Sequence, residues 1–256
     1  MYDWTDKVVL ITGASSGIGR GLALELGRRG ARVGLFARRE ELLSEVAGEV
    51  ERAGGKALVL PGDVRDAAGV ERAAACARES WGRVDILVAN SGIGVITPAA
   101  TLRAEEVADV IAVNTLGAVN SVTAVLPDML ARGSGHLVAV SSLAAYRGLP
   151  KSAAYSASKA AVSTFFESLR VDLWGTGVGV TVIHPGFIKT PMTSWRKGKL
   201  LFLMELDDAI RHIVRAIEQR RRTYAFPWQL ALYARLGRLM PGPVYDRFAS
   251  KRSIRE

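Results

Sequence analysis

Tyr155 and Lys159 stand four residues apart in the run SAAYSASKAA, residues 152–161. On a helix, positions i and i+4 share a face, so a phenol and an ammonium placed there converge on one point. A free phenol ionises near pH 10, at about three units above neutrality, and a neighbouring cation favours its phenolate. The pair therefore reads as a general acid/base drawn toward neutral pH. Ala153, Ala154, Ser156, Ala157 and Ser158 are small and leave room for a cofactor and a substrate against the helix. The same spacing is common on ordinary helix surfaces, so its meaning depends on its companions.

A second constellation is TGASSGIG, residues 12–19. Gly13, Gly17 and Gly19 permit a tight turn and close backbone approach, and Ser15, Ser16 and Ile18 complete a turn that opens a helix. Free N–H groups at a helix N-terminus hold a pyrophosphate. Glycines also serve as plain turn residues, but this run follows an apolar strand and precedes a helix, the setting that a dinucleotide-binding turn requires. The second strand ends in LFARRE, with Ala37 followed by Arg38 and Arg39. An NAD(H)-selective site offers an acidic residue to the ribose there, whereas two guanidinium groups suit a 2′-phosphate. NADP(H) is thus favoured, with NAD(H) as the alternative; the bland reading of the arginines is a solvated helix start. Asp63, followed by Val64 in PGDV, is placed to accept a bond from the adenine amino group. Asn90-Ser91-Gly92 ends the fourth strand and is expected to bring backbone to the adenosine half.

These residues need a scaffold, and the pattern supplies one. Apolar runs at KVVLIT (7–12), RVGLFA (32–37), ALVLPG (57–62), VDILVAN (84–90), GHLVAVSS (135–142) and GVTVIHPG (179–186) alternate with longer stretches of helical spacing. Continuous apolar strands between helices specify a parallel sheet covered on both faces. The expected fold is α/β, a Rossmann-like doubly wound sheet forming a single domain over 1–256. Residues 187–206 are expected to form a substrate lid beside the sheet's carboxyl edge. A helix from 206 to about 221, a strand at TYAFP and a last helix at 228–239 are expected to complete the chain, the basic extension running over 227–256. In that helix Trp228, Leu232, Leu236 and Leu239 recur at helical spacing beside Arg235 and Arg238. The stripe reads either as packing onto the domain or a partner subunit, or as peripheral contact with a membrane surface.

Taken together, TGASSGIG, GDV, NSG, Asn114 in VNTLGAV, VSS ending at Ser142, YSASK and PGFIKT resemble the short-chain dehydrogenase/reductase family in order and separation over residues 5–195. One departure is Ser91, where the family commonly has alanine. The resemblance implies a tetrad. Ser142 would bond the substrate oxygen, Tyr155 would exchange its proton, Lys159 would bind the nicotinamide ribose and lower the tyrosine pKa, and Asn114 would hold a relay water. Ser141 competes with Ser142, but neighbours on a strand point to opposite faces. By the same resemblance Pro185, Gly186, Ile188 and Thr190 border the nicotinamide and its phosphate, and the chain forms a homodimer or homotetramer. Hydride transfer belongs to the cofactor, and positioning and proton management to the protein.

The substrate is expected to meet Ser142, Tyr155, Leu143, Leu149, Phe187 and Met192, with Ile93 and Leu200–Met204 nearby. These residues are largely apolar, which favours a hydrophobic carbonyl or secondary alcohol. The runner-up is reduction of a 3-oxoacyl group carried on a protein; the arginines that dock such carriers are replaced here by Gly133 and Thr176, although Arg132 is adjacent. A third reading is a non-catalytic dinucleotide-binding module that docks through its tail. The net charge is +9, and residues 196–256 hold 14 Lys/Arg against 6 Asp/Glu while the first 195 hold 20 against 19. No basic stripe with interleaved aromatics indicates specific nucleic-acid readout. His136, His184 and His212 lack ligand-like spacing, so no metal is expected. The single cysteine, Cys76, allows no intramolecular disulfide. The N-terminus lacks the regions of a signal peptide, and no apolar stretch reads as long enough to span a bilayer, so a cytoplasmic location is expected.

Overall fold

A computed structural model describes residues 2–194 and 200–253. The first strand, β1 (Val8–Thr12), is an unbroken apolar run ending in threonine, and all five residues are buried. Its side chains alternate between two cores, Val9 and Ile11 entering one, Val8 and Leu10 the other. The rest of the chain follows as α1 (Gly17–Arg28), β2 (Arg32–Ala37), α2 (Glu40–Arg52), β3 (Lys56–Pro61), α3 (Ala67–Trp81), β4 (Ile86–Ala89), α4 (Ala104–Ile111) and a π-helical turn (Ala112–Leu116). Then come α5 (Gly117–Arg132), β5 (Gly135–Val140), α6 (Ala153–Asp172), β6 (Val178–Pro185), α7 (Leu206–Glu218), β7 (Thr223–Phe226), α8 (Trp228–Leu239) and α9 (Gly242–Ser253).

The strands form one seven-stranded sheet in the order β3-β2-β1-β4-β5-β6-β7. Every pairing is parallel. Leu22 and Leu26 of α1, Leu43 and Val50 of α2, and Ile213 and Ile217 of α7 fill the first core. Val70 of α3, Val122 and Met129 of α5, and Val162 and Phe166 of α6 fill the second. This is the expected doubly wound single domain. A Cβ on Gly21 would lie 2.9 Å from Ile210 Cγ1, so the glycine lets α1 and α7 close on each other. The connection order reverses at β1, which is flanked by β2 and β4, and in such sheets ligands bind outside the carboxyl ends at that point. The glycine turn, Asn90-Ser91-Gly92, Ser142 and the segment after β6 all leave that edge.

Four expectations change. α7 ends at Glu218 rather than near 221. The chain does not finish at 239, because α9 follows, with Pro243 in its first turn, where the missing N–H has no helical partner to lose. The continuous helical run Ala104–Arg132 is, by length and composition, apolar enough to cross a membrane, contrary to the sequence reading. Its Val110, Val122, Val125 and Met129 are buried, the last three in the second core, as in a core helix. The stripe on α8 is also not packed onto its own domain. Ala231 is the residue that α8 buries, and Trp228, Leu232, Leu236 and Leu239 all face outward.

Candidate active site

Helix α6 carries the chemistry because its inner stripe changes character along its length. Val162 and Phe166 are core residues, one turn earlier stands buried Lys159, and Tyr155 lies one turn further toward the mouth. Lys159 Nζ donates to Val140 O at 2.9 Å and lies 5.9 Å from the centre of the Tyr155 ring. Burial lowers the lysine pKa from 10.5 to about 8. A Cβ on Gly92 would meet this Nζ at 3.3 Å and Asn114 Oδ1 at 3.4 Å. Gly92 therefore lies at the catalytic end rather than beside the adenosine half, since the chain leaving β4 turns toward α6.

Asn114 sits in the π-helical turn and is buried. Its Oδ1 accepts from Ile93 N at 2.8 Å, and its Nδ2 donates to Ile93 O at 3.0 Å and Ser158 Oγ at 2.9 Å. Ser158 Oγ donates in turn to Tyr155 O at 2.8 Å. Both amide hydrogens are thus used within the protein, so the side chain does not donate to a relay water. The two serines after β5 separate as strand geometry requires. Ser141 Oγ donates to Lys159 O at 3.0 Å and meets Ser163 Oγ at 2.8 Å, pinning the strand to α6. Ser142 Oγ accepts from Ala144 N at 3.1 Å, which leaves its own hydrogen for another acceptor. Behind it, His184 Nδ1 lies 3.2 Å from Ser142 O, and because a carbonyl only accepts, that nitrogen carries the hydrogen. Burial lowers the pKa of His184, which keeps the ring neutral.

At the other end, Gly13 has φ +69° and a Cβ there would lie 2.9 Å from Ser91 Cα; a Cβ on Gly19 would lie 2.3 Å from Gly13 O. No side chain fits either place. Ser16 makes no side-chain cap, and no acidic residue lies in the first turn of α1, so its first N–H groups keep their positive end open to an anion. Such a cradle fits a dinucleotide pyrophosphate. Thr190 reaches over it, 3.6 Å from a Cβ built on Gly17, while Ile18 packs against the first core. Arg39 Nη2 donates to Ser15 Oγ at 3.0 Å and Ser16 Oγ at 3.2 Å, which places one guanidinium on the turn. Arg38 is exposed at the end of β2. Asp63 is gripped by Arg65, whose hydrogen bonds are the main reason its carboxyl stays below the usual range, with Arg38 adding to the effect. Val64 is buried against Gly117, and its carbonyl accepts from Asn120 Nδ2 at 2.8 Å. Asn90 faces inward, its Nδ2 donating to Thr12 O at 2.9 Å, so it braces the ends of β1 and β4.

Beyond Tyr155, a Cβ on Gly94 would lie 3.7 Å from both Tyr155 Cδ2 and Met192 Sδ, so these two side chains flank one gap. Phe187 is half-buried and Leu149 exposed, whereas Leu143 is covered behind Ser142. Gly186 N donates to Phe226 O at 2.7 Å, and Pro185 pairs with Phe226. Ile188 is buried and pairs with Met204, fixing the base of the segment expected to be a lid, of which 195–199 lie outside the described residues. Thr12, Ser158, Ser163 and His184 were given no site role by sequence reasoning, although Thr12 opens TGASSGIG and Ser158 stands inside YSASK.

The sequence model of the short chain dehydrogenase family matches residues 7–199. An uncharacterized oxidoreductase of Myxococcus xanthus is 46% identical over 252 residues, 98% of this chain and 99% of that protein. A short chain dehydrogenase/reductase from Burkholderia phymatum, solved in complex with NAD, is 28% identical with a TM-score of 0.85, covering 92% of this chain and 94% of the other. The 3-ketoacyl-(acyl-carrier-protein) reductase of Brucella melitensis, complexed with NADH, is 28% identical with a TM-score of 0.78, covering 87% and 96%. With that match over three quarters of its length and this fold beneath it, the chain belongs to the short-chain dehydrogenase/reductase family and is an NAD(P)-dependent oxidoreductase.

Proposed function

We propose that the enzyme interconverts a ketone and a secondary alcohol on an apolar small molecule, with NADP(H) as its preferred cofactor. The observation that carries the reaction is the buried ammonium of Lys159 beneath the Tyr155 ring, with Ser142 at the end of the adjoining strand. The nicotinamide supplies or accepts the hydride when bound. The glycine turn and the first N–H groups of α1 hold its pyrophosphate, and Pro185, Gly186, Ile188 and Thr190 border the nicotinamide half. Ser142 donates its hydroxyl hydrogen to the substrate oxygen and holds it against Tyr155. Tyr155 passes a proton to that oxygen in reduction and takes it back in oxidation. Lys159 gives one N–H to Val140 O and keeps two for the ribose hydroxyls, while its charge favours the phenolate. Asn114 secures Ile93 and Ser158 around this centre through its side-chain amide.

Arg38 and Arg39, with no carboxylate at the end of β2, support the phosphate preference. Met192, which flanks the gap beside Tyr155, supports an apolar substrate, together with half-buried Phe187 and exposed Leu149, Leu201 and Leu203. The likeness to a 3-ketoacyl reductase keeps a carrier-borne thioester as the second reading. Against it, Arg132 donates to Val84 O at 2.8 Å and Ser134 Oγ at 3.1 Å, which ties down the arginine nearest the docking positions.

The test is a fluorescence titration with NADPH and NADH on wild type and Arg38→Ala, followed by rates on simple ketones and on short thioester mimics. Tighter NADPH binding that weakens at least tenfold in the variant, with NADH unmoved, is expected. Equal affinity for both cofactors removes the phosphate reading, and faster turnover of thioesters than ketones favours the acyl alternative.

A further inference from the structure

The outward face of α8 is built against the usual pattern of a surface helix. In a globular domain the apolar stripe of such a helix turns inward and charges face water. Here Trp228, Leu232, Leu236 and Leu239 lie within about 80° of one another around the axis. They are 70%, 47%, 53% and 81% exposed. Arg235 and Arg238 border the stripe on one side and exposed Tyr233 on the other. We infer that this face is a docking surface for an anionic lipid membrane.

Charge selects that occupant. Residues 228–253 contain Arg235, Arg238, Arg247, Lys251 and Arg252 against a single acid, Asp246. A two-fold contact of this face with its own copy would bring two such basic segments together. A layer of anionic headgroups accepts the arginines while the four apolar side chains enter the acyl boundary, and a tryptophan at the end of the stripe suits the interface. The surface is also held ready. Arg147 donates to the carbonyls of Gly237 and Met240 at the end of α8, and Tyr245 Oη donates to Gly148 O at 2.6 Å. Phe202 stacks on Tyr233 with ring centres 6.3 Å apart, so exposed Leu201, Phe202 and Leu203 extend the apolar area toward the mouth of the active site. The face itself, α8 with Leu201–Leu203, lies beyond residue 199, outside the region matched to the family, while its anchors Arg147 and Gly148 lie within it.

The full chain, Leu236→Gln/Leu239→Gln and Arg235→Gln/Arg238→Gln are to be co-sedimented with vesicles of phosphatidylcholine alone and of phosphatidylcholine with phosphatidylglycerol, with light scattering on each protein. Expected are sedimentation of wild type with the anionic vesicles only and suppression by salt. Each double variant is expected to lose about tenfold or more in affinity, since two surface charges or two membrane-inserting leucines are removed. Failure of wild type to sediment with anionic vesicles, or binding unchanged in either variant, overturns the inference. So does absence of vesicle binding together with a dimer that the leucine variant disrupts, which assigns the face to a second copy.

Discussion

Ser141 and Ser142 are chemically identical neighbours that the backbone sends to different tasks. Ser141 Oγ is held between Lys159 O and Ser163 Oγ, so its hydrogen bonding is spent on joining β5 to α6. Among the described residues Ser142 Oγ accepts from Ala144 N, and its hydrogen is directed by whatever binds in front of it. Replacing Ser142 with alanine is expected to lower kcat by a hundredfold or more at the smaller cost in melting temperature, because the larger loss falls on an interaction made with the reacting oxygen, where such groups contribute roughly 10²–10⁴, and the structural loss is the single bond from Ala144 N. Ser141→Ala should do the reverse, costing about 1 kcal/mol or more of stability with a modest effect on rate. Thermal melts beside steady-state kinetics separate the two, and equal rate losses would mean that the strand does not divide their roles. The choice between the serines was legible beforehand because strand alternation is a property of the backbone. The position of Gly92 against Lys159 was not, since it depends on which way the chain turns after β4.

At the scale of elements, the strands were readable because each is an unbroken apolar run, and a sheet buried on both faces leaves little else for such a run to do. Helix α8 was readable for its period but not for its direction. An apolar stripe in a sequence does not say what covers it, and here the inward contacts are made by Ala231 and Leu230, which fills the space that a Cβ on Gly186 would need. Helix α9 was missed because Gly-Pro reads as an end and the segment carries few apolar residues. With little burial, the attachment of this hairpin rests on polar latches. Arg147 donates to the last carbonyls of α8, where a cation also complements the helix dipole, and its guanidinium lies 3.9 Å from the centre of the Tyr245 ring. Arg147→Ala should therefore lower hydrogen-exchange protection of residues 228–250 by about ten- to a hundredfold, with the sheet amides unaffected. Unchanged protection there would show that the apolar contacts of α8 hold the hairpin unaided.

For the whole molecule, the most telling groups are bases taken out of water. Burial lowers His136 from 6.5 to about 3, where its Nε2 meets Thr181 Oγ1 at 2.8 Å between β5 and β6, and lowers Lys159 from 10.5 to about 8. In each case the folded pKa lies below the unfolded one, so between the two values the unfolded chain binds more protons and stability rises with pH. Stability is thus expected to fall as pH drops from about 6.5 toward 3, through His136, and to rise as pH climbs from about 8 to 10.5, through Lys159. The alkaline limb is the informative one, because it measures what the active site costs the fold. Holding that lysine charged at neutral pH opposes folding by an amount on the order of 3 kcal/mol, the size of its shift. The chain retains the charge where Tyr155 and a bound ribose can use it. Urea unfolding of the cofactor-free enzyme and of Lys159→Met, at pH 7 and pH 10.5, separates this contribution from that of every titrating group but Tyr155, whose ionisation is linked to the lysine. The stability of wild type relative to the variant should increase across that interval by roughly 1–3 kcal/mol, while the variant is inactive at both pH values. Parallel pH profiles for the two proteins would mean that the ammonium is solvated in the free enzyme, and that its burial arrives only with the cofactor.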